Sequence, residues 1–259
     1  MLPKLIDTGR FYLPSYGVFV AAAFLAALWV TRRLAARRGL APDRITDLAV
    51  YCAIAGILGG KLGMFLFDWR FYLENPARIF SLETLQAMGV YQTGLILALL
   101  TAFWYMRRHR MPFLPTADLF APGLALGHGI GRLGCFAAGC CWGRQCDRPW
   151  AVTFTNPDAQ QLTGVPLFVP LHPTQLYEAA AEFLLFAFLW RRFHQPHREG
   201  EILSYYLIFY SLARFVIEFF RHHEQGLYFE LSLTQWIALG LFSLGIWLWI
   251  RKPAVAPVH

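Results

Sequence analysis

The residues best suited to chemistry lie in three short stretches. Gly131 to Arg144 reads G-R-L-G-C-F-A-A-G-C-C-W-G-R, with Arg132 between apolar and glycine neighbours at the end of an apolar run. Cys135, Cys140, Cys141 and Cys146 follow closely behind it. An arginine in that setting either escapes to a membrane interface or holds something anionic. Arg214, Glu218 and Arg221 are spaced i, i+4, i+7, one stripe of a helix on which Glu218 can pair with either arginine and leave net positive charge. Leu171 to Glu178, L-H-P-T-Q-L-Y-E, brings His172, Gln175, Tyr177 and Glu178 together at a helix start. There Pro173 suits the first helical position, and Gln175 sits where it could cap free backbone N–H groups. Such an N-terminus attracts phosphate. With Lys61, these residues compose a cationic cradle for a phosphate, because guanidinium groups bind phosphate oxygens bidentately.

The elements that must position them are membrane helices. The chain of 259 residues is 57% hydrophobic and only 15% charged, with a mean hydropathy of +0.41, where a soluble domain would carry nearer a quarter charged residues. Apolar runs of about the length that spans a bilayer occur at roughly 15–31, 45–67, 89–106, 117–139, 173–190, 202–220 and 231–250. Residues 68–88 and 140–172 read as outer loops. The reading is all-α: one polytopic domain over 1–259 with about seven transmembrane helices. Basic clusters follow runs one, three, five and seven: Arg32, Arg33, Arg37, Arg38 and Arg44; Arg107, Arg108 and Arg110; Arg191 and Arg192; Arg251 and Lys252. That alternation predicts an outside N-terminus and a cytoplasmic C-terminus. The first run carries its positive charge behind it rather than ahead of it, the reverse of a signal peptide. The net charge of +7 is accounted for by these anchoring clusters, which argues against nucleic acid as a partner. In the second run, Gly56, Gly59, Gly60 and Gly63 allow close helix approach.

This topology sets the depth of each polar residue. Helices one, three and five run inward, so Tyr16, Gln92 and the group from His172 to Glu178 lie at their outer ends. Helices two, four and six run outward, so Lys61, Arg132 and the group Arg214, Glu218 and Arg221 lie at theirs. Ionisable residues within a membrane are costly unless paired and normally mark a site. Each residue alone also has a plainer explanation. Arg221, at a helix end, can snorkel; Lys61 can pair with Glu178 or Glu218; His172 can be an interfacial cap. His128, one turn before Arg132, reads as a helix-packing histidine, and Cys52 as a small packing residue. Convergence of six helices on one leaflet favours an outward-facing lipid or anion site.

The four clustered cysteines, C-x4-C-C-x4-C, lack the paired C-x2-C of common zinc sites. Near an oxidising outer face, disulfides are the leading expectation. Buried free thiols, a thiol nucleophile favoured by nearby Arg132, and a metal site stay open.

G-R-L-G-x-F…W-G-R, H-P-T-Q-L-Y-E and R-F-V-I-E-F-F-R resemble the bacterial prolipoprotein diacylglyceryl transferase family. So do S-Y-G at Ser15 to Gly17, G-G-K-L-G at Gly59 to Gly63 and V-Y-Q-T-G-L at Val90 to Leu95. The likeness is collinear over roughly Tyr16 to Arg221. It implies a seven-helix enzyme of the bacterial inner membrane, with its active site facing the outer leaflet. The implied reaction moves the diacylglyceryl group of phosphatidylglycerol to the lipobox cysteine thiol of a prolipoprotein and releases glycerol phosphate, with no cofactor and no metal. Carried across, the resemblance gives Arg132, Arg214 and Glu218 the catalytic roles. Tyr16, Lys61, Gln92, Gly143, His172, Gln175, Tyr177, Glu178 and Arg221 would bind substrate. Three departures stand out. Cys135 and Ala138 replace asparagines and Cys140 a glutamate; Gln92 and Thr93 stand where the family has histidine in an H-G-G segment; Lys61 replaces an arginine. Glutamine cannot take a proton as histidine can, so Gln92 cannot be the base that activates the acceptor thiol. Either Glu218 or His172 takes that role, or the histidine is dispensable. The departures also leave room for a divergent relative with another lipid-transfer acceptor, or for a non-enzymatic lipid-binding or thiol-redox membrane protein.

Overall fold

The computed structural model describes residues 1–8, 12–81, 84, 89–222 and 226–251. Lys252, counted above in the last basic cluster, and parts of the 68–88 loop lie outside the described residues. Among the described residues, seven helices have 18 residues or more: α1 (Ser15–Arg37), α2 (Pro42–Phe67), α4 (Tyr91–Arg108), α5 (Phe113–Ala138), α7 (Thr174–Phe193), α8 (Glu201–Glu218) and α9 (Leu233–Ile250). Two short ones, α3 (Trp69–Glu74) and α6 (Pro157–Thr163), lie in connections. By length and apolarity, α1, α2 and α9 are able to cross a membrane. The protein is a mostly helical membrane protein. Much of the expected connecting charge is helical instead: Arg32, Arg33 and Arg37 close α1, Arg107 and Arg108 close α4, and Arg191 and Arg192 close α7. Cations in a last turn complement the helix dipole, which lets the helix continue past its apolar run.

The chain divides into two compact units, residues 1–34 with 114–259, and residues 35–113. In the larger unit, β1 (Lys4–Asp7) pairs antiparallel with β2 (Tyr12–Pro14), and Ser15 at the start of α1 donates to the Pro3 carbonyl from its backbone N–H (3.0 Å) and hydroxyl (3.2 Å). Helix α5 lies against α1 through missing side chains. A Cβ on Gly123 would stand 2.8 Å from the Ala27 carbonyl oxygen, and one on Gly134 would stand 2.7 Å from the Phe19 Cβ. This approach brings the first turn of α1 to the end of α5 that carries Arg132. At the other end of α5, buried Asp118 accepts the backbone N–H groups of Gly200 (2.6 Å) and Leu203 (2.7 Å), satisfying orphan donors at the start of α8. Helix α9 opens on a capping box made by Ser232 and Gln235.

The segment expected as an outer loop has its own core. Phe154, Ala159, Val165 and Leu171 are buried together beneath Trp142 and Val152, framed by α6 and by the pairing of β3 (Val152–Thr153) with β4 (Pro170–Leu171). Asn156 caps α6 through the Asp158 N–H at 2.9 Å.

In the smaller unit, α2 and α4 pack through glycines. A Cβ on Gly59 would stand 2.8 Å from both the Thr93 carbonyl oxygen and the Leu97 Cβ, and Val90 donates to the Gly60 carbonyl at 2.9 Å. Cys52 lies in this contact, its thiol 3.6 Å from the Ala98 carbonyl.

Candidate functional site

The centre of the larger unit's polar network is Glu178, in the second turn of α7 and 4% exposed. Its Oε1 accepts a hydrogen bond from Arg214 Nη1 at 3.1 Å and lies 3.6 Å from Arg221 Nη1. Its Oε2 forms a close ion pair with Arg132. Arg214 also reaches Glu218 one turn further along α8, with Nη2 2.7 Å from Oε2. The other oxygen of Glu218 accepts from the Ser232 hydroxyl at 3.0 Å, so the N-cap residue of α9 helps to hold it. Buried charges are tolerable only when paired with good geometry. Here three guanidinium groups meet two carboxylates in direct contact.

A second chain of contacts runs from Arg132 back along α5 to α7. Arg132 Nε donates to His128 Nε2 at 3.1 Å, and His128 Nδ1 is 2.9 Å from Glu182 Oε1. Because Nε2 accepts, the imidazole proton sits on Nδ1, facing Glu182. His128 is therefore a link in the polar network rather than the packing residue its helix position suggests. Glu182 also lines a groove of about 280 Å³ between α7 and α8, together with Ala181, Leu185, Phe188, Phe209 and Tyr210.

The cysteine stretch leaves α5 at Ala138 and turns through Gly139 (φ 83°) and Cys141 (φ 62°). Two side chains from the start of α7 fix this turn: Gln175 Nε2 donates to the Cys140 carbonyl at 2.7 Å, and Thr174 Oγ1 to the Cys141 carbonyl at 2.8 Å. Gln175 thus ties the cysteine loop instead of capping its own helix. Helix α7 begins at Thr174, with Pro173 as N-cap and no side-chain cap. The next residues run extended between two neighbours. Gly143 N–H donates to the His172 carbonyl (3.0 Å), Arg144 N–H to the Phe220 carbonyl (2.8 Å), and His222 N–H to the Trp142 carbonyl (3.3 Å). Gly143 is needed for this fit: a Cβ there would stand 2.6 Å from the carbonyl oxygens of both His172 and Phe220. The bridge between Gly143 and Arg221 also corrects the placement of Arg221. Helix α8 ends at Glu218, so Arg221 is not on its helical stripe but on the strand-like segment after it, which turns its guanidinium toward Glu178.

All five cysteines are free thiols. The expected disulfides are absent: the sulfurs of Cys135, Cys140 and Cys141 lie within 4.8 Å of one another, unbonded, while Cys146 is buried elsewhere, its N–H on the Pro170 carbonyl at 3.0 Å. Arg132 Nη1 is 3.9 Å from Cys135 Sγ.

The structure therefore brings Arg132, Arg214, Arg221, Glu178 and Glu218 into direct contact. Tyr16 lies beside Gly134, its ring 3.5 Å from where a Cβ on that glycine would stand, two residues along α5 from Arg132. His172 Nδ1 is 3.1 Å from the Tyr177 hydroxyl, and its ring meets Phe220 edge-on. Lys61 and Gln92 belong to the smaller unit, where Lys61 donates to the Thr84 carbonyl at 2.6 Å and Gln92 is exposed on α4. The sequence reading did not anticipate Glu178 as the hub, or the parts played by His128, Glu182 and Ser232. The i, i+4 spacings of His128 with Arg132 and of Glu178 with Glu182 were signals that could have found three of them. The link from Ser232 to Glu218 had none, since it joins two helices.

A family model described as prolipoprotein diacylglyceryl transferase matches residues 3–251. The chain belongs to the prolipoprotein diacylglyceryl transferase family. Among its relatives are proteins named phosphatidylglycerol–prolipoprotein diacylglyceryl transferase. One from Ruegeria pomeroyi is 37% identical, over 95% of this chain and 90% of the relative. Others come from Clostridium tetani (33%, over 95% and 96%) and Photobacterium profundum (34%, over 96% and 93%). The names of these relatives give phosphatidylglycerol as the diacylglyceryl donor and a prolipoprotein as the acceptor.

Proposed function

We propose that the chain transfers the diacylglyceryl group of phosphatidylglycerol to the lipobox cysteine thiol of a prolipoprotein, releasing glycerol phosphate. Membership of the family supports the reaction, and the observation that carries it to particular residues is the convergence of Arg132, Arg214 and Arg221 on Glu178. Three guanidinium groups gathered on Glu178 present N–H donors of the kind that bind phosphate oxygens bidentately. As the ester bond to the diacylglyceryl carbon breaks, negative charge grows on the departing phosphate. Arginines already oriented by buried carboxylates stabilise that charge without reorganising. Arg132 and Arg214 then contact the phosphate, and Glu178 and Glu218 act as positioning residues. The α7–α8 groove receives an acyl chain.

In this reading the chain crosses the bacterial inner membrane seven times, N-terminus outside and C-terminus cytoplasmic, as one transmembrane domain whose site opens to the outer leaflet. Tyr16, Gly143, His172, Gln175, Tyr177 and Arg221 shape that site; a substrate-binding role for Lys61 and Gln92, which belong to the smaller unit, rests on the family resemblance alone. Glu218 is a poor general base, because Arg214 and Ser232 occupy its carboxylate. The test is a transfer assay with purified protein, phosphatidylglycerol and a lipobox peptide, read by mass spectrometry. A diacylglyceryl adduct on the peptide cysteine with release of glycerol phosphate is expected. No adduct from protein shown to bind phosphatidylglycerol would reject the reaction.

A further inference from the structure

We propose that Cys135, Cys140 and Cys141 form a three-thiolate zinc site whose open fourth position takes the thiol of the acceptor. The proposal rests on the transferase reading for the identity of that acceptor. The three sulfurs already lie within 4.8 Å of one another. Zinc–sulfur bonds of 2.3 Å in tetrahedral geometry put sulfurs about 3.8 Å apart, so closing on the ion needs movements of about 1 Å or less. Cys52 and Cys146 are not in the cluster.

The backbone beneath it is held in a form that side-chain-bearing residues avoid. Cys141 has φ 62°, and Thr174 and Gln175 clamp the carbonyls of Cys141 and Cys140. Strained backbone of this kind persists where surrounding structure fixes it, and it clusters at functional sites. Gln175 is 1% exposed, and its Oε1 has no hydrogen-bond partner among the described residues while its amide nitrogen holds Cys140. Soft thiolate ligands select zinc over the hard cations. Zinc with three thiolates carries one negative charge, and the nearest guanidinium nitrogen, Arg132 Nη1, lies 3.9 Å from Cys135 Sγ.

Three protein ligands with a vacant position mark catalytic rather than structural zinc. The vacancy answers a gap in the transfer chemistry. Gln92 cannot accept a proton and Glu218 is held by Arg214 and Ser232, so of the candidate bases only His172, whose Nδ1 meets the Tyr177 hydroxyl, stands beside the metal as a route to the thiolate. A thiol that coordinates zinc gives up its proton without a base, because the metal stabilises the thiolate. The proton passes to solvent. The sulfur lone pair then forms the S–C bond to the diacylglyceryl carbon, the C–O bond to phosphate breaks, and its electron pair leaves on glycerol phosphate beside Arg132.

Metal analysis of protein purified under reducing conditions tests the site, and cobalt(II) substitution tests the vacancy. About one zinc per chain is expected, lost in Cys135→Ser, Cys140→Ser and Cys141→Ser and kept in Cys146→Ser. Cobalt-loaded wild type should show thiolate-to-cobalt charge-transfer absorption that changes with a lipobox peptide and not with its Cys→Ser analogue. Transfer should fall about 100-fold or more on stripping the metal and return with zinc. Wild-type protein that takes up neither zinc nor cobalt, a disulfide within the trio in non-reduced peptide maps, or a cobalt spectrum blind to the peptide thiol would each overturn the proposal. The two readings fail separately. Transfer at an undiminished rate after stripping sinks the zinc site and leaves the transferase; a metal site that answers the peptide thiol in a protein without transfer activity does the reverse.

Discussion

Replacing Glu178 by Gln removes the one carboxylate that three arginines share while keeping its shape. At an effective dielectric of about 20, a unit charge pair near 4 Å is worth about 4 kcal/mol before desolvation is counted. Arg214 and Arg221 stand at 3.1 and 3.6 Å, and Arg132 is closer still. Desolvation offsets most of that attraction, but stripping one partner leaves the other charges buried and uncompensated, at a net cost of about 3–5 kcal/mol. For a chain of this size the loss is on the order of 10 °C in melting temperature. A phosphodiester brings a negative charge back to the same guanidinium groups. The variant in detergent should therefore be stabilised more by phosphatidylglycerol than wild type is, and more than by phosphatidylcholine, whose headgroup is neutral overall. Thermal unfolding of both proteins across a lipid titration measures this. A loss below about 1 kcal/mol, or equal protection by the two lipids, would refute the reasoning that Glu178 is the countercharge of a phosphate site.

Arg132→Ala and Arg214→Ala should each lower transfer by about 100-fold or more, the effect of deleting one oriented electrostatic donor. The transfer assay checks this, with lipid binding measured alongside so that lost affinity is separated from lost rate. Gly143→Ala should destabilise by about 1–3 kcal/mol, because its methyl group is driven against the carbonyls of His172 and Phe220; comparison with Gly226→Ala, where a Cβ would meet nothing, controls for the general effect of alanine. Asp118→Ala should cost about 0.5–2 kcal/mol by uncapping α8 at Gly200 and Leu203. Because Asp118 lies at the opposite end of α5 from Arg132, the transfer rate of the protein that remains folded should be unchanged.

Periodicity and charge made the helical membrane class legible, since an apolar run of bilayer length bounded by arginines has few other ways to satisfy its backbone. The arginine and glutamate positions were legible too, because an ionisable residue inside such a run demands a partner. Which partner was not. Sequence spacing offered Glu218 to either neighbouring arginine, but α8 stops at Glu218, and the bridge to Gly143 carries Arg221 off the stripe and onto Glu178.

Local rules misread the start of α7 for a related reason. Gln175 is well placed to cap its own helix, yet the chain leaving α5 comes close enough for the Cys140 carbonyl to claim its amide instead. The cysteines show the same division. Their number and spacing are written in the sequence and made disulfides the leading expectation, with thiol and metal open behind it. The turn through Gly139 and Cys141 gathers three thiols and leaves Cys146 apart. The sequence determined what each element is and which residues are too costly to bury alone. The i, i+4 pairs Arg214–Glu218 and His128–Arg132 are encoded locally. Only the tertiary structure decided the partners of Glu178, Gln175 and the three clustered thiols, because packing between distant segments brings the complementary groups within a few ångströms.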